Sequence, residues 1–199
     1  MREVIQKYNV YKFQELPLES QEKTIEKHND INTSFDWYEF TINFWVEKLN
    51  EIGFIDCEIE FSGFWLQGDG ACFDLGKKGY IDINKLAKHL GYKNLKRIEI
   101  ISNYITGCIF KNSYGYHYSH ANTRYFEISN NLTAKGKTKR IENFLNELER
   151  DIESLRKNLS EEIYKDLEKE YDYLNSKEAI IETFDANEYE FTLAGNIHN

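Results

Sequence analysis

The stretch DCEIEFSGFWLQGDGACFDL, residues 56–75, contains the clearest signal for the fold. Its first residues alternate between apolar and acidic side chains, which predicts a half-buried β-strand over residues 56–62. The glycine-rich segment 67–70 follows, and an Asp-Gly pair favours a tight turn with positive φ. We therefore expect residues 71–75 to return as a second strand and to complete an antiparallel hairpin.

The segments on both sides of this hairpin have the spacing of amphipathic helices. Upstream, apolar residues recur at intervals of three and four from Phe35 to Ile52, and Gly53 is placed to end that helix. Downstream, Asp82 is a suitable N-cap for a short helix that continues to about Leu90. The hairpin is therefore expected to lie between two helices along the chain.

Two later stretches have the composition of strands. Residues 96–110 are rich in isoleucine, and residues 116–128 contain three tyrosines and a phenylalanine. A connection near residues 112–115 would join them as a second antiparallel pair. Together with the hairpin, they predict a central, mainly antiparallel sheet of about four strands.

The end of the chain has the pattern of a long helix. Isoleucine and leucine recur at intervals of three and four residues from Ile141 to Leu167. A second helix that began at Ser160 would need Glu or Gln three positions later for a capping box, but Ile163 stands there. One unbroken helix of about 35 residues, with a length of roughly 50 Å, is therefore preferred.

These patterns together predict an α+β protein with N-terminal helices, a central sheet and a long C-terminal helical segment. The expected division is a core domain of residues 1–137, which contains the QGDGA hairpin, and a C-terminal helical segment of residues 138–199. Two arrangements stay open for that segment, which either packs on the core or projects from it.

Composition restricts the class of protein. The chain has 199 residues, 41% hydrophobic and 15% aromatic, which excludes a disordered chain and suits one domain with a helical appendage. No apolar run approaches the roughly 18 residues of a membrane span, and the first residues contain no apolar signal sequence. The scattered residues Cys57, Cys72 and Cys108 do not make a disulfide framework. We therefore expect a reduced, cytoplasmic protein without membrane association.

Charge is unevenly distributed along the chain. The net charge is −9, yet residues 93–140 contain nine basic and only two acidic residues. A basic, tyrosine-rich middle between acidic flanks argues against a protein that coats nucleic acid. It suits a local site for an anionic ligand or for an acidic patch of a partner. The alternative is that these charges lie on solvated faces without a common function.

The first candidate site is the segment 61–73, FSGFWLQGDGACF. Its three glycines allow the backbone to approach a ligand closely, while Gln67 and Asp69 offer polar groups and Trp65 offers a stacking surface. The segment lacks the lysine and spacing of a phosphate loop and the pattern of a dinucleotide fingerprint. The alternative is a hairpin whose glycines serve the turn and whose aromatic residues serve the core.

The second candidate site is the segment 114–124, YGYHYSHANTR. On a regular strand, Tyr118 and His120 share one face and His117 lies on the other, so the two histidines are poorly placed to share a metal. Tyrosine and histidine side chains beside Arg124 suit stacking on a base and holding a phosphate. The alternative is a sheet face whose tyrosines cover the long helix.

Other patterns indicate little chemistry. The cysteines lack the neighbouring base and the electropositive surroundings that activate a thiol. The basic run 135–140 could contact phosphates, but such a run is more typical of a solvated loop before a helix. The sequence contains no motif of a serine hydrolase, a zinc protease or a paired-cysteine site, and we expect neither a metal nor an organic cofactor.

The segment 61–73 resembles a box, approximately SGF(W/Y)xQGDGAxF, of a family of small phage-encoded proteins that are often labelled as antitoxins of toxin–antitoxin systems. Other segments are similar to that family in the same order, and these are residues 13–16, 20–23, 36–38, 118–123, 168–176 and 187–192. The similarity therefore extends over most of the chain. Leu66 departs from the box, in which serine is usual at that position.

The resemblance implies a small accessory phage protein that acts in the cytoplasm of a bacterial host. Such proteins commonly bind a host defence component or sequester a nucleotide signal. We therefore expect a non-catalytic counter-defence protein that sequesters a nucleotide-derived host immune signal in a pocket completed by a second subunit. The candidate ligand-binding residues are Ser62, Trp65, Gln67, Asp69, Tyr118, His120, Asn122 and Arg124.

Two alternatives stay open. In the first, the protein is an antitoxin or inhibitor whose acidic surface and long charged helix, residues 142–173, mask a basic toxin or defence protein or form a homo-oligomer. In the second, it is a nucleotide phosphoesterase that uses His117 or His120 as a general acid. Under all three hypotheses we expect no membrane association and a homo-oligomer, and the charge pattern argues against nucleic acid as the partner.

Overall fold

The computed structural model describes residues 1–2, 7, 9–112, 119–132 and 139–198. Its helices are α1 (Leu18–Lys27), α2 (Glu39–Ile52), α3 (Ile83–His89), α4 (Leu95–Ser102), α5 (Lys139–Leu174) and α6 (Lys177–Ala186). Its strands are β1 (Tyr11–Lys12), β2 (Phe54–Phe61), β3 (Ala71–Ile81), β4 (Ile105–Asn112), β5 (Arg124–Asn130), β6 (Glu190–Phe191) and β7 (Ile197–His198). The predicted α+β class is confirmed, with N-terminal helices, antiparallel sheets and a long C-terminal helix. None of the helices in the described part of the chain has the length and apolar character that a membrane span requires.

The chain forms two compact units. The terminal unit consists of residues 1–38 and 169–199, and the central unit consists of residues 39–168. The division predicted from the sequence, at residues 137 and 138, follows chain order, whereas the terminal unit combines the two ends of the chain. Helix α5 contributes to both units, because its residues up to 168 belong to the central one.

The terminal unit has an aromatic core. Strand β6 pairs with both β1 and β7 in a small antiparallel sheet, which brings Phe191 onto the same cluster as Phe13. The ring centroids of Phe184 and Phe191 are 4.8 Å apart, and those of Phe13 and Phe184 are 5.4 Å apart. Ser176 caps helix α6 by accepting a hydrogen bond from the backbone N–H of Ala179.

The central unit contains the four predicted central strands, which form two antiparallel pairs. Strand β2 pairs with β3, and β4 pairs with β5, in separate two-stranded sheets rather than in one continuous sheet. Aromatic side chains join the pairs, because the ring of Phe110 on β4 lies 6.0 Å from Phe54 on β2 and 5.7 Å from Phe73 on β3. Hydrophobic packing therefore replaces the backbone hydrogen bonds that a single sheet would have.

Three sequence predictions about the strands were wrong in detail, and one of them is the strand expected over residues 116–128, whose described part is strand only from Arg124 onward. Residues 96–110 do not form one strand, because their first half is helix α4 and only the second half belongs to β4. The Asn94 side chain caps α4 by accepting from the Arg97 N–H at 3.0 Å, and Ile98 and Ile101 are buried with helical spacing. Isoleucine is compatible with both a strand and a helix. The Asn94 cap and the interval of three between Ile98 and Ile101 are what favour the helix.

The turn of the β2–β3 hairpin also differs from the prediction of a tight Asp-Gly turn. The register pairs Phe61 with Ala71, so residues 62–70 form a longer loop. The Asp69 carboxylate accepts the Leu66 N–H at 2.7 Å, and the Asp69 N–H donates to the Leu66 carbonyl at 3.1 Å. Asp69 thus stabilises a small turn inside the loop instead of occupying the corner of the hairpin.

Helix α5 is a single unbroken helix of 36 residues, in agreement with the prediction. Within the central unit it covers the free edge of β5. Glu153 accepts a hydrogen bond from the Phe126 N–H at 2.9 Å, and Glu149 accepts one from the Ile128 N–H at 2.8 Å. Four helical residues rise about 6 Å and two strand residues about 6.6 Å, so the two carboxylates match two successive outward N–H groups of the strand. The edge is thereby closed to pairing with another chain.

Candidate ligand cleft

The loop of residues 62–70 is closed and strained. The Ser62 N–H donates to the Gly70 carbonyl at 3.1 Å, which joins its two ends. Gly63 and Gly68 have positive φ, and so does Trp65 at 69°, where a side chain costs free energy. The Trp65 side chain is 67% exposed. A strained backbone that presents an exposed tryptophan is a feature that binding loops often have.

A second turn lies at residues 119–123. The Thr123 N–H donates to the His120 carbonyl at 2.8 Å, and the Asn122 N–H donates to the His120 ring Nδ1 at 3.0 Å. Because Nδ1 accepts a hydrogen bond, the neutral imidazole carries its proton on Nε2. His120 therefore offers a donor, the Nε2–H, to any group that reaches it.

These two turns contact each other directly. A Cβ atom added at Gly70 would lie 2.9 Å from the His120 Cβ and 3.0 Å from its Cα, so the contact requires glycine. The Ser62 Oγ donates to the Ser119 carbonyl at 3.4 Å. The two segments that the sequence singles out are 50 residues apart in the chain, from Gly70 to His120, yet they form neighbouring walls of one cleft.

Helix α5 supplies the third wall. Ser160, Glu161, Tyr164 and Lys165 line a cleft of about 210 Å³ together with Asp69 and His120. The Tyr164 ring lies 5.5 Å from the Phe64 ring, at 30° between their planes, and its hydroxyl oxygen accepts a hydrogen bond from the Trp65 backbone. Burial is the main reason why the pKa of Tyr164 is raised, with the nearby acidic side chains Glu168 and Asp69 as further causes.

A buried arginine supports the cleft from behind. Arg156 is fully buried, donates from Nη2 to the Ala121 carbonyl at 2.7 Å and pairs with Glu153, the shortest contact being 2.8 Å. Burial raises the pKa of Glu153, but hydrogen bonds from Arg156 and from the Phe126 N–H outweigh that effect and hold this pKa below its usual value. Arg156 Nη1 and the Oγ of fully buried Ser160 have no hydrogen-bond partner among the described residues.

The structure brings together some of the predicted site residues. Asp69, His120 and Asn122 line the cleft, and Ser62 is joined to its edge through Ser119. Gln67 is exposed on the loop beside Trp65. Tyr118, like His117 and the basic residues 135–138, lies outside the described residues. The roles predicted for these residues stay predictions.

Arg124 is engaged elsewhere in the same unit. Its Nη2 lies 3.2 Å from the Glu60 carboxylate and its Nε lies 3.3 Å from the Asp74 carboxylate, and its side chain is only 14% exposed. Two carboxylates therefore neutralise the guanidinium that the sequence suggests as a phosphate ligand. Lys111 likewise pairs with Glu127, so part of the basic middle of the chain is neutralised locally.

Sequence reasoning missed the residues that α5 contributes. Arg156 lies four positions after Ile152, and Ser160 lies four positions after Arg156, so both occupy the buried face of the helix. The sequence did contain a sign of this burial, because these two polar residues continue the spacing of the apolar stripe. The sequence pattern also fits an apolar stripe that includes Leu155, although Leu155 is only half-buried. With Leu155 in the stripe, Arg156 and Ser160 are assigned to its polar side, so their burial is missed.

The cysteines do not have the character of nucleophiles. Burial raises the pKa of Cys57 to about 12 and that of Cys108 to about 11, and it also raises the pKa of Cys72. The strand register sets Cys57 opposite Leu75 and Cys72 opposite Glu60, so the first two cysteines are not cross-strand partners. Within the described parts of the chain, no group of three or more His, Cys, Asp or Glu side chains is arranged to hold a metal ion.

A larger cleft of about 480 Å³ lies between β3 and β4. Its acidic residue, Asp82, accepts hydrogen bonds from the backbone N–H groups of Asn84 and Lys85 as the N-cap of α3, in agreement with the sequence prediction. Its thiol, Cys108, has a raised pKa. The smaller cleft beside His120 has more convergent polar side chains, and it is therefore the better candidate site.

The family of the chain follows from its central unit. Residues 37–177 match the model of a family described as a domain of unknown function (DUF8835), and the chain belongs to that family. The matched range includes the whole central unit and therefore all the walls of the cleft. Neither the curated proteins nor the solved structures contain a match to this chain.

Proposed function

We propose that this protein is a non-catalytic, phage-encoded counter-defence protein that sequesters a nucleotide-derived host immune signal in the cleft beside His120. The observation that carries the proposal is the contact between Gly70 and His120, because it combines the two chemically distinctive segments of the sequence into one site. Had the turn and the segment 119–124 lain on opposite sides of the fold, the proposal would have failed. The resemblance to small phage proteins supplies the biological setting.

The chemistry of the cleft supports binding more than turnover. A general acid–base reaction needs a titrating group beside a nucleophile and a stabiliser of developing charge. The His120 ring accepts a hydrogen bond from the Asn122 N–H within its own turn. The two thiols of the hairpin, Cys57 and Cys72, have raised pKa values. The phosphoesterase alternative stays a prediction, since His117 lies outside the described residues.

The test is native mass spectrometry of the protein purified from bacterial cells, followed by release and identification of anything bound. We expect a nucleotide that co-purifies with the wild-type chain or binds from a panel of cyclic and ADP-ribose-type nucleotides. His120→Ala should lose it, whereas His89→Ala, at an exposed position of α3, should retain it. A wild-type mass equal to that of the chain alone, unchanged by the panel, would contradict the proposal.

A second candidate function, that of an inhibitor acting by protein contact, is favoured by one face of α2. Phe40 is 83% exposed and Phe44, one turn later, is 51% exposed. Glu47 and Glu51 continue the same exposed face. An exposed aromatic pair beside carboxylates suits an apolar depression rimmed by basic side chains on a toxin or defence protein.

This second candidate is distinguished by variants on separate surfaces. If it is correct, Phe40→Ser combined with Phe44→Ser abolishes co-elution with a basic partner protein in size-exclusion chromatography, and His120→Ala does not. Co-elution lost only with His120→Ala would reject the α2 face as the interface. Complex formation that needs an added nucleotide would instead connect the partner to the cleft.

A further inference from the structure

We infer that the cleft receives the uncharged nucleoside part of its ligand, the base with its ribose, and leaves the phosphate groups outside. This inference rests on the proposed function and specifies which part of a nucleotide-derived molecule the protein recognises. It departs from the sequence-based expectation, in which Arg124 and its neighbours hold a phosphate.

The charges of the cleft argue against a buried phosphate. The lining includes the carboxylates of Asp69 and Glu161 and the ammonium group of Lys165. Arg156 behind the cleft is paired with Glu153, and Arg124 is paired with Glu60 and Asp74. A phosphate inside would therefore meet the half-buried Asp69 carboxylate, which is unfavourable at short range in a partly buried site, whereas the charges of Glu161 and Lys165 are both exposed. Lys165 is exposed and remains available to a phosphate at the rim.

The size and shape of the cleft suit one nucleoside. Its volume of about 210 Å³ is below the range of roughly 300–1,000 Å³ that is typical of sites enclosing a whole drug-sized ligand. The Tyr164 side chain lines the cleft, its ring packs against the Phe64 ring, and its hydroxyl is hydrogen-bonded to the Trp65 backbone. A tyrosine fixed in this way is a stacking surface for a base, and stacking requires no charge on the ligand.

The polar groups of the cleft match the edges of a base. The Glu161 carboxylate can accept hydrogen bonds, and His120 can donate one from Nε2. The Ser160 Oγ is buried in the lining and has no hydrogen-bond partner among the described residues. Bases and ribose hydroxyls carry both donors and acceptors, so they can satisfy this mixed set, whereas a phosphate offers acceptors alone.

Isothermal titration calorimetry tests the inference on the full chain. The probes are adenosine, guanosine, cytidine and uridine, their 5′-monophosphates, cyclic dinucleotides, ADP-ribose and inorganic phosphate. We expect at least one nucleoside to bind with a Kd within about tenfold of that of its best-binding phosphorylated derivative, because phosphate contacts at an exposed rim add little. Inorganic phosphate should not displace it.

The outcomes separate the inference from the proposed function. If phosphorylated probes bind but no nucleoside does, or if inorganic phosphate displaces them, the inference is wrong and sequestration of a nucleotide survives. If none of the probes binds, both fail. Weak salt dependence of the binding supports the inference, because it excludes a large contribution from ionic contacts at the phosphate.

Variants of the stacking residue sharpen the test. Tyr164→Leu should weaken nucleoside binding by about tenfold or more, since base–aromatic stacking is lost, and Tyr164→Phe should retain most of it because the ring remains. Tyr80→Leu, at an exposed tyrosine of β3 outside this cleft, is the matched control and should bind like the wild type. If Tyr164→Phe loses as much affinity as Tyr164→Leu, the hydroxyl contact to the loop matters rather than stacking, and the inference is overturned.

Discussion

The two compact units differ in how completely their buried polar side chains are hydrogen-bonded. In the terminal unit, the Thr24 hydroxyl donates to the Ser20 carbonyl at 2.7 Å. The Asn32 amide donates to the Leu174 carbonyl at 3.0 Å and accepts from the Thr183 hydroxyl at 2.7 Å. In the central unit, buried Arg156 and Ser160 each have one polar atom without a partner among the described residues.

This difference indicates where function lies. Burying a polar group without a hydrogen bond costs about 1–3 kcal/mol, so most such groups in native proteins are paired. The terminal unit follows that rule around an aromatic core, as a part of the molecule built for stability would. The central unit departs from it at Ser160 in the lining of the cleft, and also at Arg156, Arg124 and Asn131 outside that lining. We attribute the departure at Ser160 to a ligand that supplies the missing partner.

The largest expected effect belongs to the core of the terminal unit. Phe184 is 1% exposed and contacts the rings of Phe13 and Phe191, so Phe184→Ala should lower the free energy of unfolding by about 4 kcal/mol. Urea unfolding followed by circular dichroism measures this change. Nucleoside binding by the folded fraction should be unaffected. A loss of binding in the folded protein would contradict the separation of stability and function between the two units.

The next largest effect concerns the ion pair behind the cleft. Glu153→Gln leaves fully buried Arg156 without a charged partner, so we expect a loss of about 3 kcal/mol in the free energy of unfolding. Glu162→Gln is the matched control, because the Glu162 and Lys48 side chains are 56% and 42% exposed and their charged groups lie 3.8 Å apart, so the loss should be less than about 0.5 kcal/mol. Equal losses in the two variants would show that the burial of Arg156 is not what matters.

The same carboxylate predicts a pH dependence. The folded chain holds the pKa of Glu153 below the 4.5 of an unperturbed carboxyl, so its ionised form is favoured in the folded state. The stability that it contributes is complete above the unfolded pKa and is lost as pH falls through the folded one. The difference in unfolding free energy between wild type and Glu153→Gln should therefore be constant near pH 7 and shrink below about pH 4.5. Urea titrations at several pH values measure it, and a difference that grows with acidity would contradict the assignment.

A smaller effect is expected where the two turns meet. Gly70→Ala places a Cβ 2.9 Å from the His120 Cβ and should cost about 2 kcal/mol while it displaces the turn at 119–123 and weakens ligand binding. Gly107→Ala is the control, since the nearest atom to an added Cβ there is 4.0 Å away. Thermal unfolding and calorimetric titration of both variants decide the point. Undisturbed binding in Gly70→Ala would mean that this contact does not shape the site.

Much of the fold could be predicted from local patterns. The spacing of apolar residues predicted α5, Asp82 predicted the start of α3, and the alternation after residue 56 predicted β2. Errors arose where one residue type suits two structures, as in the isoleucine-rich segment that became α4. The pairing of strands into two sheets depends on phenylalanines distant in sequence, and periodicity carries no information about such contacts.

The candidate site was predictable in part and for the same reason. Glycines, tryptophan and histidine are distinctive, so the segments 61–73 and 114–124 were singled out, although residues 119–123 were expected in a strand and form a turn. Their contact through Gly70 required three-dimensional information, and so did the engagement of Arg124 by two carboxylates. Ser160 was considered only as a possible helix start, because a serine on a helix is usually a solvated residue and only its burial makes it unusual.

The most direct test of the central claim is the free energy of unfolding of Ser160→Ala, with and without the nucleoside that binds most tightly to the wild type. Thr183→Val in the terminal unit provides the comparison. Its free energy of unfolding should fall by about 1 kcal/mol, because the substitution leaves the Asn32 side-chain oxygen without its hydrogen bond. Without nucleoside, Ser160→Ala should be as stable as the wild type or more stable, because it removes a buried hydroxyl that has no partner.

The nucleoside should raise the free energy of unfolding of Ser160→Ala by about 1.4 kcal/mol less than it raises that of the wild type. This difference corresponds to a tenfold weaker Kd. This combination would show that the buried hydroxyl exists for a ligand. The opposite result, in which Ser160→Ala loses about 1 kcal/mol on its own and binds the nucleoside as well as the wild type does, would contradict the account.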